Sequence, residues 1–222
     1  MEIMTYPIKL DILGVASGRK AGLSRFWGLP DMPCGTDYPL YADGRGGMCP
    51  YVFLCQLDLS GLAPYDVEGR LPHEGLLSFF AQVDPYMGNF GTDHYIGGCI
   101  SLPGQVRVLY FPDTDRLEPK APPEVSAVSG GLHVPRALRI GYARAEGHCA
   151  DGHMLFAPPI HRPWDTWDHP FEDWQILLQI DSFEGRDFSL QFMDCGVLCF
   201  LIHPADLEEA DFSRVRAVVL SS

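Results

Sequence analysis

Four side chains able to bind a transition metal stand within six residues of one another: His148, Cys149, Asp151 and His153. Imidazole, thiolate and carboxylate all ligate zinc or a related first-row ion, so this cluster is the best metal candidate in the chain. Its order matches no ligand framework, and a short loop closes a tetrahedral site only with help from elsewhere. A surface loop is therefore the simpler reading, and neither metal nor any other cofactor is expected. A second group, Asp165, Asp168, Glu172 and Asp173, crowds carboxylates that could do general acid–base work if two of them met in a pocket. Spacing alone brings no two together. The chain has no G-x-S-x-G elbow, no Walker loop, no H-E-x-x-H pair and no dinucleotide-binding glycine pattern, and Gly44 to Gly47 read as a turn. No catalytic residue is assigned.

The same acids belong to residues 158–174 (PPIHRPWDTWDHPFEDW), which hold three of the four tryptophans, Trp164, Trp167 and Trp174. The prolines exclude a regular helix or a central strand. Tryptophan is enriched at interface hot spots because one rigid ring removes a large area from water at little entropic cost. Trp164, Asp165, Trp167, Asp168, Glu172 and Asp173 are thus the candidate partner-binding residues. The plainer alternative has the rings pinning a long connection to the core, and it is favoured for Trp174, which opens a strand.

Charge points the same way. Sixteen basic residues against 29 acidic give −13, which argues against nucleic acid as a partner, since its phosphates are neutralised by Lys and Arg. From Ala150 onward, 13 acids face four bases, so −9 of the −13 falls in this part. A field of one sign keeps a protein in solution, and it also speeds encounter with a basic partner. No run approaches the roughly 20 apolar residues that span a bilayer, and with Glu2 first and Lys9 and Asp11 breaking residues 8–15 no signal peptide is expected. Seven cysteines, with no C-x-x-C pair and several inside apolar runs (Cys55, Cys195, Cys199), fit buried thiols in a cytoplasmic protein.

The elements that must position these residues are strands. Residues 51–59, 75–83, 106–111, 174–181, 196–202 and 215–220 are short, apolar or β-branched, and bounded by Gly, Pro, Asp or Ser. Residues 204–210 (PADLEEA) predict a helix, with Pro in its first turn, and 138–145 offer a weaker one. The strands repeat. Leu54-Cys55-Gln56-Leu57-Asp58 matches Leu177-Leu178-Gln179-Ile180-Asp181, Gly75-Leu76-Leu77-Ser78-Phe79-Phe80 matches Gly196-Val197-Leu198-Cys199-Phe200-Leu201, and a Val-Arg strand follows each. The expected fold is α+β and β-rich: one domain over residues 1–222, with two related halves (about 50–111 and 174–220), antiparallel-sheet units packed around a common core, and few short helices. The proline-rich stretch at 119–123 would connect them.

These residues resemble the YwqG-like family of bacterial proteins. Gly28-Leu29-Pro30-Asp31-Met32-Pro33 is similar to the family's G-x-P-x-L-P segment, residues 53–59 to F-L-A-Q-I-N-L, and residues 71–80 to L-P-x-x-G-L-L-Y-F-F. Residues 177–182 and 196–215, with Asp206-Leu207 and Asp211-Phe212-Ser213, close the likeness. The chain departs from it at 156–162, where FAPPIHR replaces a G-Y-P-x-x-I-Q-G-D-like run. The resemblance implies an antiparallel α+β fold and no established enzyme activity. It also implies a role found among such families, that of immunity proteins beside secreted antibacterial toxins. The expected function is an immunity-type protein that docks a basic toxin, a nuclease for example, through an acidic, Trp-bearing surface. The alternatives are a metal-dependent or small-molecule enzyme with a cleft between the repeats, and a structural or regulatory protein.

Overall fold

A computed structural model describes residues 6–16, 20–44, 46–83, 95–123, 134–145, 151–159, 167–185, 189–192 and 195–220. In chain order the strands are β1 (Ile8–Val15), β2 (Arg25–Phe26), β3 (Asp31–Pro33), β4 (Leu40–Ala42), β5 (Met48–Pro50), β6 (Val52–Asp58), β7 (Leu76–Ala81), β8 (Val106–Phe111), β9 (Leu117–Pro119), β10 (Leu138–Arg144), β11 (Met154–Leu155), β12 (Gln175–Asp181), β13 (Phe183–Glu184), β14 (Ser189–Leu190), β15 (Val197–Ile202) and β16 (Arg216–Leu220). Two short helices, α1 (Leu59–Leu62) and α2 (Pro204–Glu208), complete the fold. All six strands expected from composition form, as β6, β7, β8, β12, β15 and β16. The helix expected at 204–210 forms as α2, with His203 capping Ala205 N–H and Pro204 in the first turn. The weaker helix at 138–145 is instead strand β10, because cross-strand partners on both sides override a marginal local preference.

Ten strands make one antiparallel sheet in the order β16-β15-β12-β11-β1-β10-β2-β6-β7-β8, nearly closed into a barrel. The order reads the same from either end. The meander β6-β7-β8 at one end answers β12-β15-β16 at the other, β2 answers β11, and β10 answers β1 at the centre. The first strand of each half is exchanged: β1 pairs with β11 of the second half, and β10 with β2 of the first. Irregular features recur as well. Leu54 is skipped in the β6–β7 register and Leu177 in the β12–β15 register, a bulge at matching residues. The residue after each two-residue strand, Trp27 or Phe156, has a positive φ (52° and 56°) and donates its N–H to the carbonyl of that bulged leucine.

Strands β7 and β15 are buried along their whole length, so both faces must be covered. Closure covers one face, and two smaller apolar clusters cover the other: Tyr38, Tyr51 and Phe53 against Phe80 on β7, and Met154, Trp167 and Ile176 against Val197, Cys199 and Leu201 on β15. Phe79 and its counterpart Phe200 meet inside, edge to face, with ring centroids 5.2 Å apart. The free edge of β16 is covered by residues 97–101, through Ser101 N–H to the Ala217 carbonyl (2.7 Å), Ala217 N–H to Ser101 Oγ (2.9 Å) and Val219 N–H to the Gly97 carbonyl (2.8 Å). Cys55 lies in this core and Cys199 in the smaller cluster with Met154, Trp167 and Val218, both as small apolar side chains, and burial pushes both thiols up. Cys195, expected with them, is exposed at a turn with φ 58°.

Each half enters its second strand through a glycine against which the next strand ends. A Cβ at Gly75 would stand 2.6 Å from the Phe111 carbonyl oxygen, and one at Gly196 would stand 2.5 Å from that of Leu220. Gly75 also has φ +96°. Gly75→Ala is expected to cost about 1–3 kcal/mol in urea unfolding. Gly98→Ala, where nothing lies within 4 Å, should stay within about 0.5 kcal/mol of wild type.

Candidate functional site

Trp164, Asp165, His148 and Cys149 lie outside the described residues. Of the other candidates, Trp167 is 5% exposed and sits in a secondary core cluster with Met154, Ile176 and Val218. Its Nε1–H donates to the Trp174 carbonyl (2.9 Å), and Trp174 packs edge-on against Phe171 (4.9 Å). Two backbone bonds, Phe171 N–H to the Asp168 carbonyl and Trp174 N–H to the Phe171 carbonyl, fold this segment into tight turns. The rings therefore face inward, and Asp168, Glu172 and Asp173 all face solvent. His169 Nδ1 lies 2.8 Å from Glu172 Oε1, and the Glu172 carboxyl is held below its ordinary pKa by hydrogen bonds from its own backbone and then from His169. Trp174 also meets His203, the cap of α2, with ring centroids 6.2 Å apart. Next to it opens a cleft of about 250 Å³ lined by Arg70, Phe156, Pro158, Trp167 and Trp174.

His153 and Asp151 do not come together as ligands. Asp151 is exposed, while His153 is 8% exposed and packs against Phe26, the rings inclined at 46° with centroids 4.5 Å apart. His153 Nδ1 accepts the Asp181 N–H (3.1 Å). In the other half Ser24 holds the same place, its Oγ accepting the Asp58 N–H (2.8 Å). Among the described residues, no group of three or more His, Cys, Asp and Glu side chains is placed to hold a metal.

A different site was not singled out by sequence reasoning. Asp31, 2% exposed, receives three donors on Oδ2: Arg25 Nη1 (2.7 Å), Gly22 N–H (2.8 Å) and Gln56 Nε2 (2.9 Å). The Gln56 Oε1 accepts the Asp31 N–H in return (2.8 Å). Burial alone would raise the Asp31 pKa, but the Arg25 hydrogen bond and charge, with Gln56 and Gly22, outweigh it and hold the carboxyl below its ordinary value. Arg25 also donates to the Leu29 carbonyl. This ion pair forms one wall of a cavity of about 490 Å³, closed by the β3–β9 ribbon with Leu117 and Pro119, and by Lys20, Leu23 and Arg139.

Residues 24–219 match the family described as a domain of unknown function (DUF1963). The chain belongs to that family. No curated protein matches the chain. The DUF1963 span begins at Ser24, so it contains Arg25, Asp31 and Gln56, the acidic turn and the strands from β2 to β16 but for the last residue, Leu220, and leaves out β1 and Gly22. The glutamines of the repeated Gln-x-Asp element have structural work within it. Gln56 Nε2 donates to the Leu23 carbonyl (2.9 Å) and Gln179 Nε2 to the Gly152 carbonyl (3.0 Å), each tying the approach to a two-residue strand. Gln56 also engages a charged group, its Nε2 donating to Asp31 Oδ2.

Proposed function

We propose that this chain is a cytoplasmic, YwqG-like immunity protein that neutralises a cognate antibacterial toxin by docking a basic surface of it. The supporting observation is the turn at residues 167–174. Its rings anchor it to the core while Asp168, Glu172 and Asp173 stand in solvent. Charges fixed on a rigid support lose little entropy on docking, and they raise the association rate of an oppositely charged partner. A nuclease suits such a face because its substrate groove is built to receive phosphate charge. The neighbouring cleft offers a seat for one side chain of the partner, in the manner of a hot spot. The net charge of −13 favours the same pairing. Among the described residues, no helix is long and apolar enough to cross a membrane.

Co-expression with the toxin encoded beside its gene tests this reading. The wild-type chain should protect cells, and Asp168→Lys/Glu172→Lys/Asp173→Lys should abolish protection while its circular dichroism is unchanged. Association with the purified toxin should slow by about tenfold to a hundredfold at low salt. A triple variant that protects as well as wild type would overturn the acidic-face assignment.

A further inference from the structure

The near-symmetry of the sheet isolates one place where the two halves differ in charge. On β2 and β10, Arg25 and Arg139 are direct cross-strand partners. The equivalent pair on β11 and β1 is Met154 and Lys9, and Lys9 is neutralised by Asp11 at 3.0 Å. The fold therefore builds the same strand pairing without two opposed arginines. Like charges directly across a strand pair are unfavourable, so the arginine pair is a local cost that the architecture does not require. Arg25 is compensated by Asp31. The Arg139 side chain is exposed and, among the described residues, has no hydrogen bond or ion pair; the same holds for the Lys20 side chain.

All four groups face the cavity of about 490 Å³, where the second half's strand β10 is interlocked with the first half's β2. Three basic residues and one acidic residue line it, in a chain whose 29 acids outnumber 16 bases. The rest of the lining is mostly apolar: Leu23, Leu29, Leu117, Pro119 and Ala137. Volume and composition suit a small-molecule site, a half-open hollow with a mainly apolar lining and a few convergent polar groups. Arg139 supplies a planar donor fork suited to phosphate, and Lys20 a mobile point charge. We infer that this cavity binds a small organic phosphate monoester with an apolar body. The phosphate sits between Arg139 and Lys20, and the body lies against Leu23, Leu117 and Pro119. The two cations left over after the Arg25–Asp31 pair match a dianion rather than a carboxylate. This site is separate from the acidic turn and does not depend on the toxin-docking reading.

Titration calorimetry on the full chain, in low salt, tests it with phenyl phosphate, phenylacetate and inorganic phosphate. Phenyl phosphate should bind tightest of the three. Arg139→Ala should weaken it by about tenfold or more, the size of one charge-assisted contact, and Arg139→Lys should restore part of that. Because the Arg139 side chain is exposed, unpartnered among the described residues and opposed to Arg25, Arg139→Ala should unfold at or slightly above the wild-type midpoint and Arg139→Lys at the wild-type one. No binding by any probe, or phenyl phosphate binding indifferent to Arg139, would remove the site. Phenylacetate binding as tightly as phenyl phosphate would overturn the assignment of a dianion.

Discussion

Between pH 6.5 and about 4 the folded protein is expected to lose about 3 kcal/mol of stability through His153 alone. Burial pushes the His153 pKa down from 6.5 to about 4, and the nearby Asp181 carboxylate opposes that only in part. The neutral ring is the form that fits: Nδ1 accepts the Asp181 N–H, and the ring lies on Phe26. In the unfolded chain the same imidazole protonates near its ordinary value. As pH falls below 6.5 the unfolded state gains a proton the folded state refuses, so stability is full above 6.5 and drains until the folded ring protonates near 4. Asp31 extends the effect to stronger acid. Its folded pKa lies below 3.8, so its contribution is present above 3.8 and is lost as pH falls further. Urea unfolding at pH 7, 5.5 and 4.5 checks the first stage against His153→Asn, whose side-chain oxygen can accept the Asp181 N–H and does not titrate. The variant should start less stable and lose about 2 kcal/mol less between pH 7 and 4.5. Parallel curves for the two proteins would sink the assignment.

The sequence carried the strands, their bounding residues and the repeat, because alternation and apolar runs are local and the two halves share them. It did not carry the exchange of β1 and β10. Lys9, Asp11 and the central position of Gly141 break the apolar pattern of strands whose place is fixed by neighbours on both sides, not by their own composition. The candidate site was legible in part. The stretch around Trp167 read equally as anchor or as exposed aromatic, and only its packing places that ring inside with the acids outside. The cavity by Asp31 was hidden for another reason. Arg25, Asp31, Gln56 and Arg139 come from four separate strands, and a charge cluster assembled across a sheet leaves no spacing to read. Its trace was a mismatch between the halves, Arg25 against Met154, visible only once the register aligned them.

Asp31→Ala is expected to destabilise the protein by about 3–5 kcal/mol, the cost of removing one partner from a buried ion pair. The side chain of Asp31 is 2% exposed and that of Arg25 11%, so the guanidinium left behind has little water to turn to. The Gly22 N–H and the Gln56 amide lose an acceptor in the same stroke. For a chain of 222 residues this corresponds to a fall of roughly 10 °C or more in the melting midpoint. The second half indicates how to separate charge from packing, since Met154 occupies the place of Arg25 there, fully buried. Arg25→Met with Asp31→Leu removes both charges and keeps most of the volume, and it should recover at least half of the loss seen in Asp31→Ala. If the double variant is no better than the single, the cluster acts through its hydrogen bonds to Gly22 and Gln56, and the ion pair itself contributes little. If Asp31→Ala costs less than about 1 kcal/mol, the carboxylate is not the hinge of the cluster, and the β3–β9 ribbon is held to the sheet by its apolar contacts.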